Sequence, residues 1–149
     1  MAGLGIRYVQ TNLKMDLSDF LGPNPLIVDL KAENRWDAID ELIDQLVAHQ
    51  KIKAEHRDAF VACIKKRETS MTTGIGFGIA IPHASSDLVD EVVCVVGRSR
   101  EGVQFNSLDC KPVRLVLLFL VPQGQFQKHL HTMANVAKVL HNTDFRDGL

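Results

Sequence analysis

What this chain has little of narrows its chemistry before any motif is considered. Its three cysteines, Cys63, Cys94 and Cys110, form no CxxC pair and leave one over in any disulfide scheme. The expectation is reduced thiols in a cytoplasmic protein rather than a disulfide-stapled secreted domain. No apolar run exceeds Leu115 to Val121, seven residues, against the roughly 20 that a membrane-crossing helix needs. The stretch Met1 to Asp16 has no extended apolar core followed by a small-residue cleavage site, so it does not read as a secretory signal. Charge of one sign is missing too: the formal net charge is -1 and there is no basic arm, which leaves nothing to mark the chain as a nucleic-acid or membrane-surface binder. No internal repeat or low-complexity tract is present.

What is there suits one compact domain with a real core: 149 residues, 46% of them apolar. Met1 to Asn12 has no strong period and is expected to be partly disordered; Asp16 to Leu21 reads as a short helical turn closed by Pro23 and Pro25. Leu26 to Leu30 reads as a strand, and Asn34 with Asp37 as a capping pair for the next helix. Trp36, Ile39, Leu42, Ile43, Leu46 and Val47 then mark an amphipathic helix, its opposite face of Asp37, Asp40, Glu41, Asp44 and Gln45 expected to be solvated. A second helix is expected from about Ala54 to Lys66, with Ala59, Phe60, Cys63 and Ile64 on its buried stripe. Further strands are expected at Val92–Gly97, apolar on both faces and so interior to a sheet, at Val103–Phe105 after a turn at Ser99–Gly102, and at Val113–Val121. A third helix is expected over Lys128–Leu140. Three helices and four or five strands predict an α/β layer architecture.

The chain is organised around Arg67 to His83, RETSMTTGIGFGIAIPH. Gly74, Gly76 and Gly78 sit two apart, so the backbone there can turn at positive φ or approach another group closely. Ile79 to Ile81 reads as a short buried strand that Pro82 either ends or places on an edge, delivering His83 at a strand end, and Ser85 and Ser86 read as loop. Imidazole, with an unperturbed pKa of about 6.5, is neutral and nucleophilic near physiological pH. Arg67 stands at the end of the preceding helix, where a guanidinium either caps carbonyls or holds a phosphate in a bidentate fork. The glycine spacing lacks the lysine and hydroxyl residue of a P-loop, and no G-x-S-x-G elbow is present. Two alternatives stay open from these residues alone. One is a zinc site of His83, His129 and His131, although residues two apart on a helix point about 200° away from one another; the other is a docking module that performs no transfer.

The run RETSMTTGIGFGIAIPHA, followed by REGVQFNSLDCKPVRLVLLFLVP and HLHTMANVAKVL, resembles the enzyme IIA domains of the fructose and mannitol class (type 2) of the bacterial phosphotransferase system. The resemblance covers about Leu17 to Phe145 and is greatest to the nitrogen-regulatory branch. It implies a single-domain α/β fold over residues 1–149, a mixed β-sheet of about five strands flanked by helices, of the phosphotransferase/anion-transport type. It also implies a phosphocarrier in which His83 is transiently phosphorylated by a phosphohistidine on HPr or a nitrogen-branch counterpart. Arg67 matches the family's active-site arginine and His129 the first histidine of its HL motif, both as donors to the phosphoryl group. Thr73 and the loop amides from Gly74 and Gly76 are expected to complete the cradle, with no cofactor. The implied onward partners are a IIB domain or regulatory target proteins.

Three departures from the family pattern stand out. Phe77 replaces the more usual polar residue between the glycines and is expected to add an apolar contact for a partner, and Ala84 replaces a common glycine. Relatives also continue into another C-terminal helix, which here is expected to be short or missing.

Overall fold

A computed structural model describes residues 25–125. The segment Met1 to Asn12, the turn at 16–21, the helix at 128–140 and both His129 and His131 lie outside the described residues. Two helices pack on one face of a mixed six-stranded sheet. The strands are β1 (Leu26–Ile27), β2 (Gly74–Gly76), β3 (Ile79–Ala80), β4 (His83–Ser86), β5 (Val93–Val103) and β6 (Val113–Pro122). The helices are α1 (Arg35–Ala48) and α2 (Arg57–Ser70), the latter entered through a 3-10 turn at Ala54–His56.

Helix α1 begins where the sequence marks it. Asn34 is extended and its side chain accepts the Asp37 amide at 2.9 Å, satisfying one of the donors that a helix start leaves open. From there Ala38, Ile39, Leu42, Ile43 and Leu46 are buried in helical period against the sheet. Each large side chain so placed contributes roughly 1.5–3 kcal/mol relative to exposure. The acidic face is less solvated than expected: Asp40 pairs with Lys65 at 3.0 Å, Asp44 with Arg57 at 2.8 Å, and Glu41 accepts the Lys31 and Ala32 amides. This seam joins α1 to α2. In α2 the buried stripe is Phe60, Val61, Ile64 and Glu68, whereas Ala59 and Cys63 face solvent. The sequence reading rotated the helix by placing its stripe on the wrong neighbours of Phe60.

The sheet order is β1-β5-β6-β3-β2, with β4 also on β6. β5 and β6 are antiparallel, and β3 and β4 both run parallel to β6. The sheet's two faces carry separate apolar clusters, one with the helices and one built on Ile79, Ile81, Leu117 and Phe119. The expected strand at Leu26–Leu30 is only two residues long, and the two strands expected at 92–97 and 103–105 are one. Ser99 Oγ accepts the Gly102 amide at 2.9 Å, so what reads as a turn is a bulge between Arg98 and Val103 within β5. Ser85 and Ser86 belong to β4 rather than to a loop, because the pairing runs on to Ser86 opposite Pro122.

Gly97 sets how closely α1 lies on the sheet. A Cβ there would stand 2.8 Å from Leu30 Cδ1 and 2.9 Å from Leu42 Cδ2. Gly97→Ala is expected to lower unfolding stability by about 1–3 kcal/mol through overpacking, read from the urea midpoint. A variant as stable as the parent would mean that the helix lifts off without cost.

Candidate active site

Ile79 and Ala80 pair with Leu115 and Val116, and His83 and Ala84 with Phe119 and Leu120, at the same offset. β3 and β4 are therefore one line of chain along β6, and Pro82 interrupts its regularity without changing its register. Proline has no amide to donate, but the Pro82 carbonyl still accepts the Phe119 amide at 3.0 Å. His83 is the first residue after this break and is half-buried.

The imidazole is held in one tautomer. His83 Nδ1 lies 2.8 Å from the Ile81 carbonyl oxygen. A carbonyl only accepts, so Nδ1 carries the proton and the lone pair of the neutral ring resides on Nε2. Burial pushes the pKa of His83 below its usual value and the Arg67 charge adds to that, against opposing pulls from the Ile81 carbonyl and the Glu68 carboxylate.

Arg67 lies in the last turn of α2, where its Nη1 donates to the Met71 carbonyl at 3.0 Å. It thus caps its own helix, and its charge also reaches His83. The guanidinium has five N–H donors, so capping one carbonyl leaves the fork capacity for an anion.

Sequence reasoning missed Glu68, whose side chain is fully buried. It accepts the Thr73 amide at 2.9 Å, the Thr73 hydroxyl at 2.6 Å and Arg35 Nη1 at 3.3 Å. Arg35 in turn stacks on the Trp36 ring at 4.4 Å. One carboxylate thereby ties the start of α1, the end of α2 and the entry to β2. It also alters the ladder beside the histidine. Opposed residues of a hydrogen-bonded antiparallel pair exchange both amides, but here only Ile81 donates to Thr73, at 3.0 Å. The Thr73 amide goes to Glu68, and the Ile81 carbonyl that it would have engaged receives the His83 proton. The signal for Glu68 was its position eight residues after Phe60 and four after Ile64, on the buried stripe.

The glycine run does not surround His83. Gly74 and Gly76 lie in β2, opposite Ala80 and Ile79, and the tip Gly76–Phe77–Gly78 has positive φ throughout. Ile79 and His83 are four residues apart on one extended line, roughly 13 Å at about 3.3 Å per residue. Gly74 and Gly76, the expected cradle residues, thus belong to a tight hairpin whose tip lies at the far end of this line from the histidine. Gly74 is needed where it is because a Cβ would meet the Ser107 backbone at 3.0 Å, and its amide donates to Thr72 Oγ1. The Thr73 hydroxyl proton is given to Glu68, so Thr73 positions the Ile81 strand rather than facing the imidazole lone pair.

Among the described residues no cluster of His, Cys, Asp and Glu is arranged to hold a metal ion, and no helix is long and apolar enough to cross a membrane. Cys63 and Cys110 are exposed and Cys94 is buried, all three as free thiols.

Comparison with known proteins bears on this geometry. The pattern of the family described as phosphoenolpyruvate-dependent sugar phosphotransferase system, EIIA 2, matches residues 19–149. The chain is 34% identical over 138 residues to a PTS system fructose-specific EIIA component from Haloferax volcanii, covering 91% of this chain and 88% of that one. Among solved structures it is similar to the nitrogen regulatory protein IIA-Ntr from Neisseria meningitidis, with a TM-score of 0.73, 26% identity and 82% of each chain covered. The same fold is found in the NMR complex of enzyme IIA mannitol with phosphorylated enzyme IIB mannitol from Escherichia coli (TM-score 0.61, 23% identity, 79% of this chain and 86% of that one).

Proposed function

We propose, on the premise that the chain belongs to the EIIA 2 family of the phosphoenolpyruvate-dependent sugar phosphotransferase system, that His83 Nε2 is the atom that accepts and releases the phosphoryl group. The observation that carries this reading is the 2.8 Å bond from Nδ1 to the Ile81 carbonyl, which leaves the lone pair on Nε2. As the new P–N bond forms and the donor's P–N bond breaks, the His83 ring gains positive character. The Ile81 carbonyl and the Glu68 field both favour that change. Transfer between two imidazoles needs positioning and charge stabilisation more than covalent help.

Arg67 supplies the guanidinium fork to the phosphoryl oxygens. Thr73 and Glu68 act as positioning residues. His129, outside the described residues, enters as a second donor on its match to the family pattern. The donor is an HPr-like phosphohistidine carrier in the cytoplasm. The onward step is transfer to a IIB domain or a change of regulatory partner with phosphorylation state. Intact mass after incubation with enzyme I, HPr and phosphoenolpyruvate tests the proposal, and a chain that never gains a phosphoryl group under those conditions refutes it.

Arg67→Lys keeps the charge but loses the planar fork. Losing one charged hydrogen bond of about 1.5–3 kcal/mol predicts transfer slowed at least about tenfold in single-turnover measurements. An unchanged rate would reduce Arg67 to a helix cap.

The lowered pKa of His83 also predicts a pH profile. Acceptance should stay flat as pH falls through about 6.5 and decline only at the lower folded pKa. Between that value and about 6.5 the unfolded chain takes up a proton that the folded site refuses, so stability also falls as pH drops through this window. A rate that halves at or above the unperturbed value would contradict the burial argument.

A further inference from the structure

The hairpin tip that turns away from His83 forms one wall of an open groove of about 1210 Å³ at the other end of the β3–β4 line. Its apolar part is Ile75, Phe77 and Leu108, which are 36%, 56% and 69% exposed. Its charged part is Arg98, Arg100, Lys111 and Arg114, against Asp109 as the one carboxylate among the described lining residues. Asp109 is already engaged by the Phe77 and Lys111 amides.

Phe77 is an unusual residue for its place in the hairpin. Its φ of 60° is a conformation that glycine or asparagine takes easily and a bulky side chain does not. The residue is also more than half exposed, outside both buried apolar clusters. The strained tip is nevertheless held firmly: the Phe77 amide donates to Asp109 at 3.1 Å, and the Gly78 carbonyl accepts from Arg114 and Leu115 at 2.8 and 3.0 Å. A bulky apolar residue fixed in strain at a solvent-facing position fits a recognition role.

We infer that this groove is a second docking surface, separate from the His83 mouth, for an acidic polypeptide segment that carries an aliphatic or aromatic anchor. The four cations select the charge of the partner and the exposed apolar trio takes the anchor. Leu115, which lines the groove, and Phe119, the register partner of His83, are four residues apart on β6, again roughly 13 Å. A partner seated at the hairpin tip therefore leaves the histidine open to its phosphoryl donor, and the protein can hold a target while its phosphorylation state changes.

The test uses the full-length chain, isotopically labelled, and a short synthetic peptide rich in aspartate and glutamate with a central leucine–phenylalanine pair. Saturable amide shifts are expected at Ile75–Gly78, Arg98–Arg100 and Leu108–Arg114. Affinity should fall at least about fivefold in Phe77→Asn, which suits the positive φ and so keeps the fold. It should fall at least about tenfold in the double variant Arg100→Glu, Lys111→Glu, and weaken with salt as the screening length drops from about 10 Å at 0.1 M. Phosphorylation of His83 should proceed at the same rate with the peptide saturating and in both variants, so this inference and the acceptor assignment fail separately. Any one of four results overturns it: no saturable binding, equal binding by Phe77→Asn, equal binding of a peptide with serines in place of the anchor pair, or competition between peptide and phosphorylation. Preferential binding of phosphatidylserine vesicles or self-association through the same residues would likewise replace the acidic segment as occupant.

Discussion

His83→Ala is expected to remove every acid-labile phosphoryl group that the wild type gains from the relay while leaving the fold intact. The expectation rests on His83 combining a fixed tautomer, partial burial and the field of a guanidinium, a set that no other side chain among the described residues shows. The fold survives because His83 belongs to neither apolar cluster, and its neutral hydrogen bond to Ile81 is worth only about 0.5–1.5 kcal/mol net. The measurements are intact mass for the phosphoryl group and thermal unfolding for the fold. An alanine variant that still acquires the group would move the acceptor elsewhere, and one that fails to fold would make His83 a structural residue first.

Glu68→Ala is expected to have the largest effect on stability and a second, separable effect on the imidazole. It strands a guanidinium that is only 17% exposed, removes the acceptor of two Thr73 donors and opens a cavity at the junction of both helices and β2. Breaking a buried charged pair of this kind costs about 3–5 kcal/mol, a large part of the roughly 5–15 kcal/mol by which domains are stable. Glu68→Gln, which keeps the shape, should lose less. In either variant the Thr73 amide can turn to the Ile81 carbonyl and compete with the His83 proton for it. Nitrogen NMR of the ring should then show a mixture of tautomers where the wild type holds its proton on Nδ1. A destabilised variant with the tautomer unchanged would leave Glu68 a purely structural residue.

Much of this was legible in the sequence because it depends on local periodicity. Helix α1 announces itself through its cap and its apolar stripe, and β6 through a run too apolar for any surface. What was hidden depends on partners far along the chain. Pro82 reads as the end of a strand, and only pairing to Phe119 through its carbonyl shows that the line continues. The bulge in β5 reads as a turn because Ser99 and Gly102 are turn residues, and β6 alongside decides otherwise. The GxGxG run looks like a cradle for anions, yet which end of a hairpin faces the histidine is a matter of register, which spacing does not carry. Arg67 was legible as the cation near the site; its neighbour Glu68 was not, because a buried acid makes sense only beside Arg35, 33 residues earlier.

The arrangement of β6 also governs when this site comes into being. Strand β5 reaches β6 across a short connection, so that hairpin closes early and cheaply, whereas β3 and β4 reach it in parallel from much earlier in the chain. Non-local parallel pairing is slow because the loop entropy is lost before the contacts form. His83 therefore emerges from the ribosome well before its strand has a partner, and that strand is fixed only when the one beginning at Val113 has been made and docked. Completion of the sheet and placement of the His83 strand are one event, and a folding intermediate with both helices formed but β6 undocked would hold that strand without a register.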